Sequence, residues 1–330
     1  MPSWRSSCWP SERNFPRDPG SPGLDLTPSS RVEKPGHIMN GPNTSEQAAG
    51  NTCEICGKYS AVRRELNDGY YARYCPGCDF LWTDTDRSPG ALAEINKGQY
   101  EVKGRLLTYF LRQREFSRRY EKILGLLRRH AGGGMETLLE IGSNIGAFAG
   151  FASEHGIRVE TVEIHDDLRA MQSILFRVPA YKSVEEIPPG RRYDVIVMMD
   201  VLEHLPQPVS FLESLKRFLA PDGLIYLQFP NKNALVAGIS GKRWGWWLAP
   251  DHLYHFSENA IRRVANRVGM ETAHLRVTSP LLYDVAGIPA LGAIFRPLVA
   301  LNRWIDLSCY VYWRSGSLIE AILKPARNKP

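Results

Sequence analysis

The sequence predicts an α/β protein, a doubly wound and mostly parallel sheet preceded by a small cysteine-bearing ribbon. Three observations carry that expectation. Apolar strand-like runs alternate with helix-compatible segments from Leu138 onward. The first of those runs ends on an acid and a glycine-bearing turn, and two C-x-x-C pairs stand ahead of them all.

The chain is organised around Leu138 to Phe148, LLEIGSNIGAF. An apolar strand ends on Glu140, a small-residue turn runs from Gly142 to Gly146, and AFAGFASEHG starts a helix. Glycines let the backbone approach a ligand, and the free N–H groups of a new helix point at it. A second strand, Arg158 to Ile164, places Glu163 about 20 residues past the turn, where an acid can accept both hydroxyls of a ribose. The turn lacks the G-x-G-x-x-G of nicotinamide binders, because Asn144 and Ala147 stand where glycines are needed.

On these residues the chain resembles the class I S-adenosylmethionine-dependent methyltransferases, whose first strand ends E/D-x-G-x-G-x-G. Glu140, Gly142 and Gly146 match that pattern, and Asn144 replaces the middle glycine. The resemblance implies a Rossmann-like methyltransferase sheet that binds S-adenosylmethionine through Glu140, Gly142, Ser143, Asn144, Gly146 and Glu163, with Asp200 and Val201 at a later strand end.

The remaining elements follow in order. Residues 1–50 are rich in Pro, Ser, Gly, Asn and Arg without periodicity and read as disordered. Met39 is a candidate true start, which N-terminal sequencing of the native protein would test. Residues 51–85 hold Cys53, Cys56, Cys75 and Cys78, four thiols at the spacing of a structural zinc ribbon, with Gly57 and Gly77 expected in the knuckle turns. A redox dithiol pair and unligated cysteines are the other readings. The ribbon is similar to one that precedes certain bacterial sugar and small-molecule methyltransferases, which implies a substrate-side lid or scaffold.

Residues 86–132 form a helical linker region, with one long helix over 103–131 that has an apolar stripe and otherwise basic faces. Within the methyltransferase domain, 133–280, helices are expected at 166–176, 208–219 and 258–268, and strands at 180–184, 193–200, 224–229 and 271–278. Asp200 to His204, D-V-L-E-H, matches a loop that the family carries beside its cofactor. Pro250 to Ser257, PDHLYHFS, resembles the acid–His–Leu–x–x–Phe–Ser motif of sugar C-methyltransferases, which assigns the general base to His252 with Asp251 beside it. His255 has no match in that motif, and packing of the loop is the plainer role for both histidines. Residues 281–330 read as a C-terminal helical segment, and 281–313 could pack on the domain, form a dimer surface or touch a membrane.

Composition sets the outer bounds. A net charge of +6 mildly favours anionic partners, 43% hydrophobic residues suffice for a core, and no uncharged apolar run is long enough to span a bilayer. Paired cysteines point to a reducing, cytoplasmic setting with structural Zn2+. The expected activity is methyl transfer to oxygen or carbon of a small molecule or saccharide. Methylation of RNA or protein, and a zinc-dependent binding protein with an inactive fold, are the alternatives.

Overall fold

The computed structural model describes residues 51–88, 90–92, 102–132, 134–280, 310–311 and 316–326. The readings for 1–50, including Met39 and the disorder, and for 281–309 lie outside these residues.

Strands β1 (Arg63–Glu65), β2 (Tyr71–Cys75) and β3 (Phe80–Thr83) form an antiparallel sheet. Two helices follow, α1 (Val102–Leu111) and α2 (Gln113–His130), in place of the single long helix expected. The break falls at Arg112, whose φ of −115° and ψ of 18° lie outside the helical region. The buried side of α2 carries Tyr120, Ile123, Leu124 and Leu127.

The main sheet then begins with β4 (Thr137–Ile141), α3 (Ala147–Glu154), β5 (Arg158–Val162), α4 (Asp166–Phe176), β6 (Ala180–Tyr181) and β7 (Tyr193–Met199). Helix α5 (Pro208–Leu215) ends four residues earlier than expected and passes through a tight turn into β8 (Leu219–Pro230). Leu219 already pairs with Tyr193, so Pro221-Asp222-Gly223 forms an irregularity inside β8 and not a turn before it. Short α6 (Leu235–Ser240), β9 (Tyr254–His255), α7 (Glu258–Arg267), β10 (Met270–Pro280), β11 (Tyr310–Val311) and β12 (Leu318–Pro325) complete the described elements. Ser257 caps α7 as expected, its Oγ accepting from the Ala260 N–H at 3.1 Å.

The sheet order is β11-β10-β12-β8-β7-β4-β5-β6. Strands β8, β7, β4, β5 and β6 are parallel, and β12, β10 and β11 are antiparallel additions. The parallel strands are apolar throughout, as strands covered on both faces require: Val195, Ile196 and Val197 are fully buried. The chain leaves β4 for β5 on one side and reaches β7 on the other, which opens a crevice at the carboxyl end of β4.

Two expectations are corrected here. Residues 318–325 form a strand, not part of a helical segment; β12 lies between β10 and β8 with Ile319, Ala321, Ile322 and Leu323 fully buried. Its one acid, Glu320, tolerates burial because Arg276 on β10 donates to it at 2.5 Å. The ribbon, moreover, does not end at its own boundary. β9, from the loop after α6, pairs with β3 as a fourth strand, with Leu81 opposite His255 and Trp82 opposite Tyr254. Phe80 stacks on Tyr254 at 5.4 Å, and Cys53, Cys75, Cys78 and Phe80 share one apolar cluster with the core of the main sheet.

Candidate active site

A cavity of about 910 Å³ opens at the carboxyl ends of β4, β5 and β7. Its floor is the turn after β4. Gly142 has φ +69°, and a Cβ there would come 2.4 Å from Val201 Cγ2, so no other residue fits without displacing the next loop. Asn144 has φ +57°, in the left-handed region that asparagine tolerates better than most residues, and its own Oδ1 accepts the Ile145 N–H at 2.8 Å. The asparagine that departs from the glycine pattern thus adopts a glycine-like conformation. Gly146, by contrast, does not line the cavity. Its place is behind the wall, where a Cβ would meet Gln172 of α4 at 2.6 Å. Ser143 lines the cavity, but its hydroxyl accepts from Gln172 Nε2 at 2.8 Å.

Glu163 sits just beyond β5, buried against the cavity. Its Oε2 accepts the Asn144 N–H at 2.8 Å and its Oε1 the His165 N–H at 3.0 Å. Two backbone donors fix the carboxylate while each oxygen keeps a lone pair for a ligand hydroxyl. Glu140 is buried beneath the turn with one oxygen lacking a hydrogen-bond partner, and burial first, then the nearby Glu163 charge, pushes its carboxyl up to about 8. A turn that admits only glycine at position 142, a fixed acid at the second strand and a carboxyl without a partner together fit an adenosyl ligand carrying positive charge.

On the far side, Asp200 (φ +54°) and Val201 line the cavity at the end of β7. Beside them the structure rearranges the predicted catalytic pair. Asp251 Oδ1 lies 3.0 Å from Nδ1 of His204. Burial opposes charge on His204, but the Asp251 hydrogen bond and the Glu203 charge outweigh it and raise the imidazole to about 9. His252 is 3% exposed, its Nδ1–H donates to the Trp246 carbonyl at 2.9 Å, and burial together with the His204 charge pushes it down to about 3. Its ring is therefore neutral, with the lone pair on Nε2. The two rings meet edge to face at 4.6 Å. His255 is buried in the ribbon sheet and takes no part in the cavity. Glu203, His204 and His252 each bring one possible ligand atom within 4.8 Å of the others, a donor set that a divalent cation could use.

The cavity roof is formed by Tyr109, Phe116, Arg119 and Tyr120 from α1 and α2, with Trp246 and Leu248 from the loop before β9. Of these, the sequence pointed to Trp246, within the aromatic and basic run Lys242–Trp247 that suits stacking on a ligand or a lid over the core, but not to Tyr109, Phe116 or Leu248 as cavity lining. The basic run of α2 reads as a solvated face, yet Arg112 pairs with Glu115, Arg119 donates to Gln228 and Arg128 donates to the His155 carbonyl. For the helical residues the signal was the apolar stripe, which includes Tyr120; Phe116 lies one turn before it.

In the ribbon, the four Sγ atoms of Cys53, Cys56, Cys75 and Cys78 lie within 4.8 Å of one another, and Cys56 and Cys75 Sγ are 3.7 Å apart. Tetrahedral thiolates with bonds of about 2.3 Å to zinc sit about 3.8 Å from each other. The donor set fits the metal, and none of the four is in a disulfide. The open backbone angle of the second knuckle falls on Asp79 (φ +50°), the counterpart of Gly57 (φ +72°), and not on Gly77.

The parallel order, the glycine-lined turn and the fixed acid beyond β5 define a Rossmann-like α/β methyltransferase fold. The chain belongs to the family described as "Methyltransferase domain", whose model matches residues 106–275, just over half of it. It is 24% identical over 152 residues to the ubiquinone biosynthesis O-methyltransferase of Thiobacillus denitrificans, covering 44% of this chain and 63% of that protein. It is 30% identical over 95 residues to the protein of the same name from Cereibacter sphaeroides, covering 24% and 38%. This chain thus spans less than two thirds of the length of either. Among solved structures, a SAM-dependent methyltransferase from Archaeoglobus fulgidus is similar at a TM-score of 0.46 and 18% identity, over 66% of this chain and 98% of that one. The 1,6-didemethyltoxoflavin-N1-methyltransferase of Burkholderia thailandensis, bound to its substrate and S-adenosylhomocysteine, aligns at 0.45 and 13%, over 81% and 100%. No helix among the described residues is long and apolar enough to cross a membrane.

Proposed function

We propose that this protein transfers a methyl group from S-adenosylmethionine to oxygen or carbon of a small-molecule or saccharide acceptor. One observation carries the reading: a single cavity joins the Gly142–Glu163 cradle to the His204–Asp251–His252 cluster, and its volume lies near the top of the range of about 300–1,000 Å³ that single ligands occupy. When bound, the cofactor supplies an activated methyl on sulfur, so the chain has chiefly to bind, orient and, for a weak nucleophile, remove a proton.

Glu163 would hold the ribose hydroxyls, and the turn at Gly142–Asn144 would bring main chain against the adenosyl group. His252 is the proposed base: its neutral ring presents Nε2 as an acceptor for the acceptor's hydroxyl or carbon-acid proton. Asp251, assigned beside it, acts on His204 and keeps that imidazole protonated; the two charges cancel, so the pair would help the nucleophile through the imidazolium N–H as a donor and not through net positive charge. Tyr109, Phe116, Trp246 and Leu248 give the roof an apolar, aromatic lining that suits a compact organic acceptor better than a polynucleotide backbone. The conformation of Asn144 leaves the inactive-scaffold alternative without its one supporting feature. Zn2+ on Cys53, Cys56, Cys75 and Cys78 would be structural, because four thiolates leave no open position. A cytoplasmic setting would keep those thiols reduced.

Calorimetry with S-adenosylhomocysteine is the direct test, followed by transfer of labelled methyl from S-adenosylmethionine to a panel of phenols, hydroxy acids and nucleotide sugars. Saturable binding with one site is expected; a purified, folded chain that ignores S-adenosylhomocysteine sinks the proposal.

A further inference from the structure

The loop that carries His252 is held from outside the methyltransferase domain. Thr83 is the last residue of β3 and is fully buried. Its Oγ–H donates to the His252 carbonyl at 2.6 Å, and its N–H donates to the Leu253 carbonyl at 2.9 Å. A hydroxyl has one proton to give. Since the carbonyl takes it, the 3.1 Å contact between Thr83 Oγ1 and His255 Nε2 must be donated by the imidazole. His255 is buried, and burial holds it neutral, so it has a single N–H for this purpose. The Leu253 N–H in turn donates to the Glu203 carbonyl at 2.9 Å, in the loop that bears His204. One threonine thus fixes both peptide planes that follow His252, while the Trp246 carbonyl fixes its ring.

Further clamps keep β3 from drifting. Tyr254 Oη donates to the Pro206 carbonyl at 2.9 Å, and Glu54 in the first knuckle accepts the Val209 N–H at 3.1 Å, at the start of α5. Lys232 bonds Asp79 at 2.5 Å. The ribbon therefore grips both loops of the histidine cluster, and Thr83 is the atom-level contact nearest the base.

We infer that Thr83 is a positioning residue for His252, through which the four-cysteine ribbon sets the direction of the proposed base. The inference rests on the reading of His252 as that base. It assigns the ribbon a part in catalysis that neither metal chemistry nor substrate contact supplies, because the hydrogen bonds of the threonine hydroxyl go to the His252 carbonyl and the His255 ring.

The test needs no acceptor. The full chain is labelled with 15N at its imidazoles, and tautomers are read from long-range 1H–15N spectra, with S-adenosylhomocysteine as the cofactor probe. Wild type is expected to show His252 as a single neutral tautomer protonated on Nδ1. Thr83→Val, which keeps the side-chain shape and removes the hydroxyl, is expected to hold S-adenosylhomocysteine within about twofold while the His252 signals shift or broaden. Thr83→Ser should restore them. His252 signals that stay at wild-type positions in Thr83→Val while those of His255 move would overturn the inference, as would failure of Thr83→Ser to restore them. If Thr83→Val does not fold, Thr83→Ala, which leaves room for a water, is read by the same outcomes. Failure of both to fold assigns the hydroxyl to the fold as a whole and also overturns it. A wild type that binds no S-adenosylhomocysteine is a separate failure, of the cofactor reading, and the spectra still report on Thr83.

Discussion

The sharpest expectations at the scale of single residues lie in the turn after β4. Glu163→Ala should weaken S-adenosylhomocysteine binding at least tenfold by calorimetry, since hydrogen bonds to a charged group contribute about 1.5–3 kcal/mol. Part of that loss is indirect, because the Asn144 and His165 N–H groups lose their acceptor as well. Gly142→Ala meets both a positive φ and the Val201 methyl at 2.4 Å. A cost of about 1–3 kcal/mol in denaturant unfolding is expected, partly relieved by Val201→Ala in the double variant. Asp251 and His252, neighbours in the chain, both line the cavity. Adjacency could not tell which histidine the carboxylate faces, because neighbouring residues of a loop point in different directions, and the partner, His204, is 47 positions away.

Among elements, the parallel strands and crossover helices were legible because each is a long apolar run or a strongly periodic stretch: α4 spans the residues expected of it. Elements that depend on a distant partner were not. β9 is two residues long and is a strand only because β3 lies beside it. β12 has apolar residues at spacings that suit either a short helix or a buried strand, and its place between β8 and β10 decides between them. The ribbon shows what such pairing does. On removal of metal by a chelator, hydrogen exchange should rise across residues 51–83 and also across 252–255, whose strand partner is β3, while β5 and α4 stay protected. Exchange confined to 51–83 would mean that the ribbon loosens without releasing the histidine loop.

For the whole molecule, pH acts through buried carboxyls. Glu140 rises from its ordinary 4.5 to about 8, by burial above all. A carboxyl raised in this way favours the folded state while it holds its proton, so its contribution is full below about pH 4.5 and is lost as the pH climbs through about 8. Glu140→Gln, neutral at every pH, should therefore gain on wild type in denaturant unfolding at pH 8.5 relative to pH 5. If the stability difference between the two proteins does not change with pH, the carboxyl is not raised. Chain order has a consequence of its own for how the sheet is completed. β8 is made well before the strand that covers its free side, since β12 comes after β10 in sequence yet inserts between the two. On the ribosome, the nascent domain must carry an open apolar edge until residues 318–325 emerge, and a message cut short before them would leave that edge as a seed for aggregation.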